Sequence, residues 1–141
     1  MREVERIRDD FVQAVFVDGD LDAALQLLGA DVVLSNVPAG TGATGIDAAR
    51  RHLTTDVIGH VPADLQFSRI SRTVDRIRLV DEQRVRFTHD RVLPWLLPGV
   101  EPTGRAVDVL AVTVAVVRQG RLVAHRTLWD QTALPNLPNR R

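Results

Sequence analysis

The sequence predicts an α+β fold in which three N-terminal helices pack on one face of a curved antiparallel sheet. Apolar residues recur at helical spacing up to Val57, whereas from Leu65 onward they alternate with polar residues, as in strands. A sheet that curls around a helical layer encloses a cone, and the open end of a cone is a natural small-molecule pocket. The length of 141 residues fits a single domain over residues 1–134, with a loose tail over residues 135–141.

Three amphipathic helices are predicted in the first part of the chain. The first covers residues 2 to 17, and its apolar face consists of Val4, Ile7, Phe11, Ala14 and Val15. The second is capped by Asp20 and is expected to stop at Gly29. The third begins near Ile46, after a strand over residues 31–37 and a loop over residues 38–45.

Long strands are predicted for the rest of the chain. Residues 65–74 form the first of them, with an irregularity in the middle. Polar and apolar side chains alternate regularly over residues 76–90, although a turn at residues 81–83 can divide this region into two strands. The segment over residues 93–99 contains two prolines, which excludes a central strand there. Residues 106–118 and 121–130 form the last two strands, joined by Gln119 and Gly120.

Composition excludes several classes of function. The 18 basic and 18 acidic residues balance, so we expect no nucleic acid and no membrane as a partner. The N-terminus opens with alternating charges rather than a secretion signal, which predicts a cytoplasmic protein. Cysteine, lysine and tyrosine are absent, which excludes a thiolate nucleophile and a Schiff base. The four histidines lack metal-ligand spacing, so neither a metal nor another cofactor is expected.

The last predicted strand carries the strongest functional signal, an acidic residue beside a tryptophan. Side chains alternate between the two faces of a strand, so Asp130 and Arg126 must share one face. We expect that face to line the cone, with Trp129 and His125 on the other side. A carboxyl group in an apolar cone is poorly solvated, which raises its pKa and suits it to proton transfer.

Three segments together resemble the SnoaL-like branch of the nuclear-transport-factor-2-like superfamily: Phe87–Asp90, Leu97–Arg105 and Gly120–Asp130. The resemblance implies a cone-shaped α+β barrel that is often a homodimer. It also implies chemistry without a cofactor, such as polyketide cyclisation, isomerisation or epoxide opening. By motif position, the resemblance assigns the acid/base role to Asp130.

Other residues are candidates to assist Asp130. His89 lies four residues after Val85 and therefore on the same strand face, which is expected to point inward. It can shuttle a proton or bind a substrate carbonyl. The alternative is a core histidine. Arg126 either pairs with a carboxylate or polarises a substrate oxygen. His60 lies near the expected mouth of the cone, and His52 is expected to be solvated. Four further residues are predicted substrate contacts: Trp95, Phe87, Asp90 and Trp129.

Three functions remain open from the sequence. The first is a cofactor-independent cyclase or isomerase that acts by general acid/base catalysis on a mostly apolar polyketide- or terpenoid-like substrate. The second is an epoxide hydrolase or epoxide-opening cyclase, which needs a second acidic group in the pocket. The third is a ligand-binding or dimerisation module without catalysis.

Overall fold

A computed structural model describes residues 2–135, so the predicted loose tail lies, apart from Pro135, outside the described residues. The three predicted helices are confirmed within this range. The first and third continue into a π-helical turn, over Gln13–Asp18 and Leu53–Val57. Asp20 caps the second helix, because its side chain accepts a hydrogen bond from the amide of Ala23 at 3.0 Å. The helices are α1 (Arg2–Val12), α2 (Leu21–Gln26) and α3 (Ile46–His52).

Within residues 2–135, six strands form one curved sheet with the helices on its inner face, which confirms the predicted α+β class. Their order across the sheet is β2-β1-β6-β5-β4-β3. All neighbours are antiparallel except β1 and β6, which run parallel. The strands are β1 (Leu28–Val37), β2 (Thr41–Thr44), β3 (Gln66–Val74), β4 (Arg78–Thr88), β5 (Ala106–Arg118) and β6 (Arg121–Trp129).

Three local predictions were wrong. Gly29 lies inside β1 and does not stop α2, which already ends at Gln26. The predicted loop after β1 contains a strand, and Gly42 permits this hairpin, because a Cβ atom there would lie 1.9 Å from the carbonyl oxygen of Leu34. The polar residues at 81–83 do not form a turn. Asp81 and Gln83 instead point inward from an unbroken β4, where both side chains are buried and hydrogen-bonded.

A β-bulge in β6 determines which side chains of this strand face the helices. Val117 pairs with Leu122, but Val116 pairs with Ala124, so Val123 is an extra residue. Such an insertion reverses the facing of every later residue, because side chains alternate along a strand. Before the bulge the inward residue, Leu122, has an even number, whereas after the bulge the inward residues have odd numbers.

The core fills the space between the inner face of the sheet and the helices. α1 contributes Val4, Ile7 and Phe11, all at most 3% exposed. The long strands β4 and β5 contribute one buried residue at every second position: Leu79, Asp81, Gln83, Val85 and Phe87 from β4, and Val107, Val109, Ala111, Thr113, Ala115 and Val117 from β5.

Candidate active site

A small cavity of ≈ 50 Å³ lies between α1, α3 and the inner face of the sheet. Most of its wall is apolar. Phe16 packs against Trp95 and Phe67 with ring centroids 5.4 Å apart in both pairs, and Trp95 lies 5.9 Å from Trp129. Apolar walls of this kind favour a mostly hydrocarbon ligand. The remaining apolar lining residues are Phe11, Val12, Val15, Leu34, Leu53 and Val57.

Polar side chains occupy a limited part of the cavity wall. They comprise one arginine, two histidines and five neutral hydrogen-bonding groups. Within residues 2–135, no aspartate or glutamate lines the cavity. The acidic pair required by the epoxide-opening hypothesis is therefore not found in the wall. The polar lining residues are Arg8, Ser35, Asn36, His52, Gln83, Thr113, His125 and Thr127.

Arg8 brings a buried positive charge to the cavity. It lies on the apolar stripe of α1, four residues after Val4, and is 6% exposed. One guanidinium nitrogen lies 3.0 Å from Oδ2 of Asp81 and 3.5 Å from Oδ1 of Asp9. Burial lowers the pKa of Arg8, although the two carboxylates oppose this effect. Its Nε atom is buried and has no hydrogen-bond partner among the described residues.

A second arginine holds the carboxylates that pair with Arg8. Arg72 of β3 donates to both oxygens of Asp81, at 2.7 and 2.9 Å, and to Asp9 at 2.8 Å. These hydrogen bonds raise the pKa of Arg72. Arg72 also lies 3.5 Å from Glu5. The network joins α1 to β3 and β4 and fixes the position of Arg8.

His125 contributes a neutral imidazole to the same cavity. Burial, together with the nearby charge of Arg8, lowers its pKa to about 3. The ring packs against Phe11 with centroids 5.2 Å apart. Its Nε2 atom is buried and, like Nε of Arg8, has no partner within the described chain.

His52 is the last residue of α3 and is 7% exposed. Its Nδ1 atom lies 3.0 Å from Oδ2 of Asp56, one helical turn further on. A carboxylate only accepts hydrogen bonds, so Nδ1 of His52 carries a proton in this contact. The arrangement is a histidine oriented by an aspartate, as in acid/base sites.

Two short hydrogen-bond chains fix the remaining polar wall. On the sheet, Gln83 donates to Thr113 at 2.9 Å, and Thr113 and Thr127 share a hydrogen bond of 2.9 Å. Nearer the hairpin, Nε1 of Trp129 donates to Oδ1 of Asn36 at 3.0 Å. These bonds satisfy buried polar groups and hold the aromatic wall in place.

The expected orientation of β6 was wrong. Asp130 and Arg126 do share a face, but both are exposed on the side of the sheet away from the helices. Trp129 and His125 line the cavity instead. The bulge at Val123 is the physical reason, because it reverses the alternation that begins at the buried Leu122. The Asp130 carboxylate accepts hydrogen bonds from the amide and hydroxyl of Thr132, at 3.0 and 2.7 Å.

His89 is fully buried but does not line the cavity. Its Nδ1 atom accepts a hydrogen bond from the amide of Thr103 at 3.2 Å, and the Thr103 hydroxyl lies 3.1 Å away. Burial lowers the pKa of His89. The geometry is that of a core histidine that holds the turn around Thr103.

The other predicted site residues are divided between the cavity and the rest of the molecule. Trp95 is 1% exposed and lines the cavity, whereas Phe87 is buried outside the lining. Asp90 is exposed and pairs with Arg91 at 2.8 Å. The side chain of His60 is half-buried outside the lining, and its carbonyl accepts a hydrogen bond from Trp95 at 3.4 Å.

Sequence reasoning missed Arg8, His52 and His125 as cavity residues. The expectation that His52 is solvated was wrong. A signal existed for Arg8, because it lies three residues before Phe11 on the apolar face of α1. A signal also existed for His52, since Asp56 follows at the i,i+4 spacing of a helical pair. His125 had none, because its orientation depends on the bulge.

The curved sheet, the helices on its inner face and the cavity between them define a small α+β fold. The family model of the SnoaL-like domain matches residues 9–125, so the chain belongs to the SnoaL-like family. This confirms the family resemblance that the three sequence segments carry. No curated protein matches the chain.

Solved structures share the fold over nearly the whole chain. A candidate SnoaL-like polyketide cyclase from Jannaschia sp. CCS1 is 22% identical, with a TM-score of 0.68, over 92% of this chain and 90% of that one. An epoxide hydrolase of the LEH-like type from M. tuberculosis is 17% identical, with a TM-score of 0.68, over 94% and 86%. SalBIII, an epoxide hydrolase/cyclase-like enzyme in pyran ring formation in the polyether salinomycin, is 15% identical, with a TM-score of 0.67, over 94% of both chains.

Two further observations concern the described part of the chain. No helix within residues 2–135 has the length and apolar character needed to cross a membrane. In the same range, no three His, Cys, Asp or Glu side chains form a group that could hold a metal ion.

Proposed function

We propose that this protein is a cofactor-independent, cytoplasmic cyclase or isomerase that moves a proton on a small, mostly apolar organic substrate. One observation carries the proposal: the apolar cavity is lined both by His52, oriented by Asp56, and by the buried cation of Arg8. A base and a hydrogen-bond donor in one mostly apolar cavity are the groups needed to form and stabilise an enolate.

The apolar wall supports a polyketide- or terpenoid-like substrate. Trp95 and Trp129 provide flat surfaces against which a hydrocarbon ring packs. Two of the similar structures are described as a candidate polyketide cyclase and as an enzyme of polyether pyran ring formation. Burial of the substrate in this cavity holds its reacting atoms together, which lowers the entropic cost of ring closure.

His52 is proposed to transfer the proton. Its Nε2 lone pair removes a proton from the carbon next to a carbonyl group, and the same nitrogen returns that proton to the product. Asp56 stabilises the imidazolium that exists between these two steps. The Nε–H group of Arg8 donates a hydrogen bond to the substrate carbonyl oxygen, and this bond strengthens as that oxygen gains partial negative charge.

The acid/base residue proposed here is His52, whereas the sequence predicted Asp130, and a direct test distinguishes the two. The substrate is trans-2-decalone, an apolar bicyclic ketone, and the readout is deuterium uptake at its α-carbons in D2O by NMR. Wild-type protein is expected to accelerate uptake, and His52→Gln to slow it by about 100-fold. Asp130→Asn is the matched comparison and is expected to retain the wild-type rate.

Other outcomes of this test would overturn the proposal. Uptake no faster than in buffer would favour a ligand-binding module without catalysis. Full activity of His52→Gln together with loss of activity in Asp130→Asn would return the acid/base role to Asp130.

We also propose a homodimer formed through the outer face of the sheet. Val112 and Leu128 are neighbours in the β5–β6 register and are 37% and 39% exposed. Leu110, on the same face, is 38% exposed. Exposed apolar side chains clustered on a sheet face are typical of a protein interface.

A further inference from the structure

We propose that Nε of Arg8 and Nε2 of His125 form a subsite for an uncharged oxygen atom of the substrate, a carbonyl or a hydroxyl, and that this subsite rejects carboxylates. The inference rests on the proposed function for the presence of a substrate, but its test measures binding and not catalysis.

The unpartnered atoms of the cavity are the first support. Within residues 2–135, three buried side-chain nitrogen atoms lack a hydrogen-bond partner, and two of them belong to Arg8 and His125. Both residues line the cavity. A buried polar group without a partner is costly, so two cavity-lining residues that each hold such an atom indicate where a ligand supplies the missing bonds.

The charges around Arg8 are the second support. Arg8 and Arg72 contact three carboxylates, those of Asp9, Asp81 and Glu5. The positive charge of Arg8 is therefore already compensated inside the protein. A ligand carboxylate would add a fourth negative charge without a free cation to match it, and its burial would be unfavourable.

The state of His125 is the third support. Its imidazole is neutral at neutral pH, because burial and the charge of Arg8 lower its pKa to about 3. A neutral imidazole has one donor and one acceptor nitrogen, whereas the Nε–H group of Arg8 only donates. A carbonyl oxygen can accept from both residues, and a hydroxyl group can accept from Arg8 and donate to His125.

The test uses three probes with one apolar skeleton: trans-2-decalone, 2-decalol and decahydronaphthalene-2-carboxylate. Both tryptophans of the chain line the cavity, so quenching of their fluorescence reports binding directly. At pH 7 the ketone or the alcohol is expected to bind at least about tenfold more tightly than the carboxylate. The stronger of the two neutral probes shows which tautomer of His125 the subsite uses.

Two variants examine the two atoms separately. Arg8→Lys keeps the charge beside Asp81 but lacks the Nε–H group, and His125→Phe keeps the ring that packs on Phe11. Each is expected to weaken binding of the preferred neutral probe about tenfold. Arg84→Lys, on the outer face beside Asp108, is the matched control and should bind as wild type does.

Circular dichroism and the thermal midpoint establish that each variant is folded. If Arg8→Lys does not fold, His125→Phe still decides the question. Equal affinity for the carboxylate, or unchanged affinity of a folded His125→Phe variant, would overturn the subsite. Asp56→Asn separates the two proposals, because Asp56 does not line the cavity: this variant should slow deuterium uptake while the ketone binds with unchanged affinity.

Discussion

Nδ1 of His52 lies 3.0 Å from Oδ2 of Asp56, and this pair places an oriented imidazole in the wall of an apolar cavity. The aspartate is 39% exposed at its side chain, whereas the histidine is 6% exposed. The carboxylate therefore remains partly exposed to solvent, while the ring that it orients is almost fully buried. This arrangement is consistent with a base that acts on a substrate inside the cavity.

The first prediction concerns the orienting carboxylate. Asp56→Asn should reduce deuterium uptake into trans-2-decalone about 10- to 100-fold, because the amide does not stabilise the imidazolium. Binding of the ketone should not change, since Asp56 does not line the cavity. NMR measures the uptake rate and fluorescence measures the affinity.

A suitable control for Asp56→Asn lies on the same helix. Asp47 is exposed in the first turn of α3, and Asp47→Asn is expected to react at the wild-type rate. Equal rates for Asp56→Asn and Asp47→Asn would show that Asp56 does not support the reaction.

The second prediction concerns stability. Asp81 has a side chain only 2% exposed and pairs with both Arg8 and Arg72. Asp81→Asn should lower the free energy of unfolding by about 3–5 kcal/mol, because it leaves buried positive charge without its partner. Urea unfolding at pH 7 measures the change.

Asp108 provides the comparison for a surface ion pair. It contacts Arg84 and Arg86, and its side chain is 47% exposed. Asp108→Asn is expected to leave the free energy of unfolding almost unchanged, because an exposed ion pair contributes little. Similar losses in Asp81→Asn and Asp108→Asn would contradict the structural role of the buried network.

The third prediction concerns the pH dependence of stability. The folded pKa of His125 is about 3, below the value of roughly 6.5 for an unfolded histidine. Above pH ~6.5 the residue is neutral in both states and its contribution to stability is complete. As pH falls below this value, the unfolded chain binds a proton that the folded protein excludes, and stability decreases by up to about 1.4 kcal/mol per pH unit.

The replacement His125→Phe isolates this contribution. Its free energy of unfolding should decrease less steeply than that of the wild type between pH 6.5 and pH 4.5. A remaining slope is expected from His89, whose pKa is also lowered by burial. Urea unfolding at several pH values measures both slopes, and parallel curves for the two proteins would refute the assignment to His125.

The fourth prediction concerns the oligomeric state. Light scattering coupled to size-exclusion chromatography should give a dimer mass for the wild type and a monomer mass for Leu128→Asp, because a charge in an apolar interface is unfavourable. Val17 is 67% exposed on the helical side, so Val17→Asp should remain a dimer. A monomeric wild type, or a dimeric Leu128→Asp, would contradict the proposed interface.

Much of the fold could be predicted from periodicity, whereas among the predicted site residues only Trp95 and Trp129 line the cavity. The strand over residues 106–118 was predicted with its observed bounds, because a long uninterrupted alternation has one interpretation. The facing of β6 was reversed by the single extra residue Val123, which no alternation pattern shows. Arg8 was hidden for a different reason: its charge suggests a surface residue unless its buried partner Asp81 is known.

The most direct test of the central claim is the rate of deuterium uptake by trans-2-decalone with wild-type protein, His52→Gln and Asp130→Asn side by side. Catalysis by His52 in the cavity predicts rapid uptake with the wild type and Asp130→Asn, and a loss of about 100-fold with His52→Gln. Rapid uptake with a folded His52→Gln variant would contradict it.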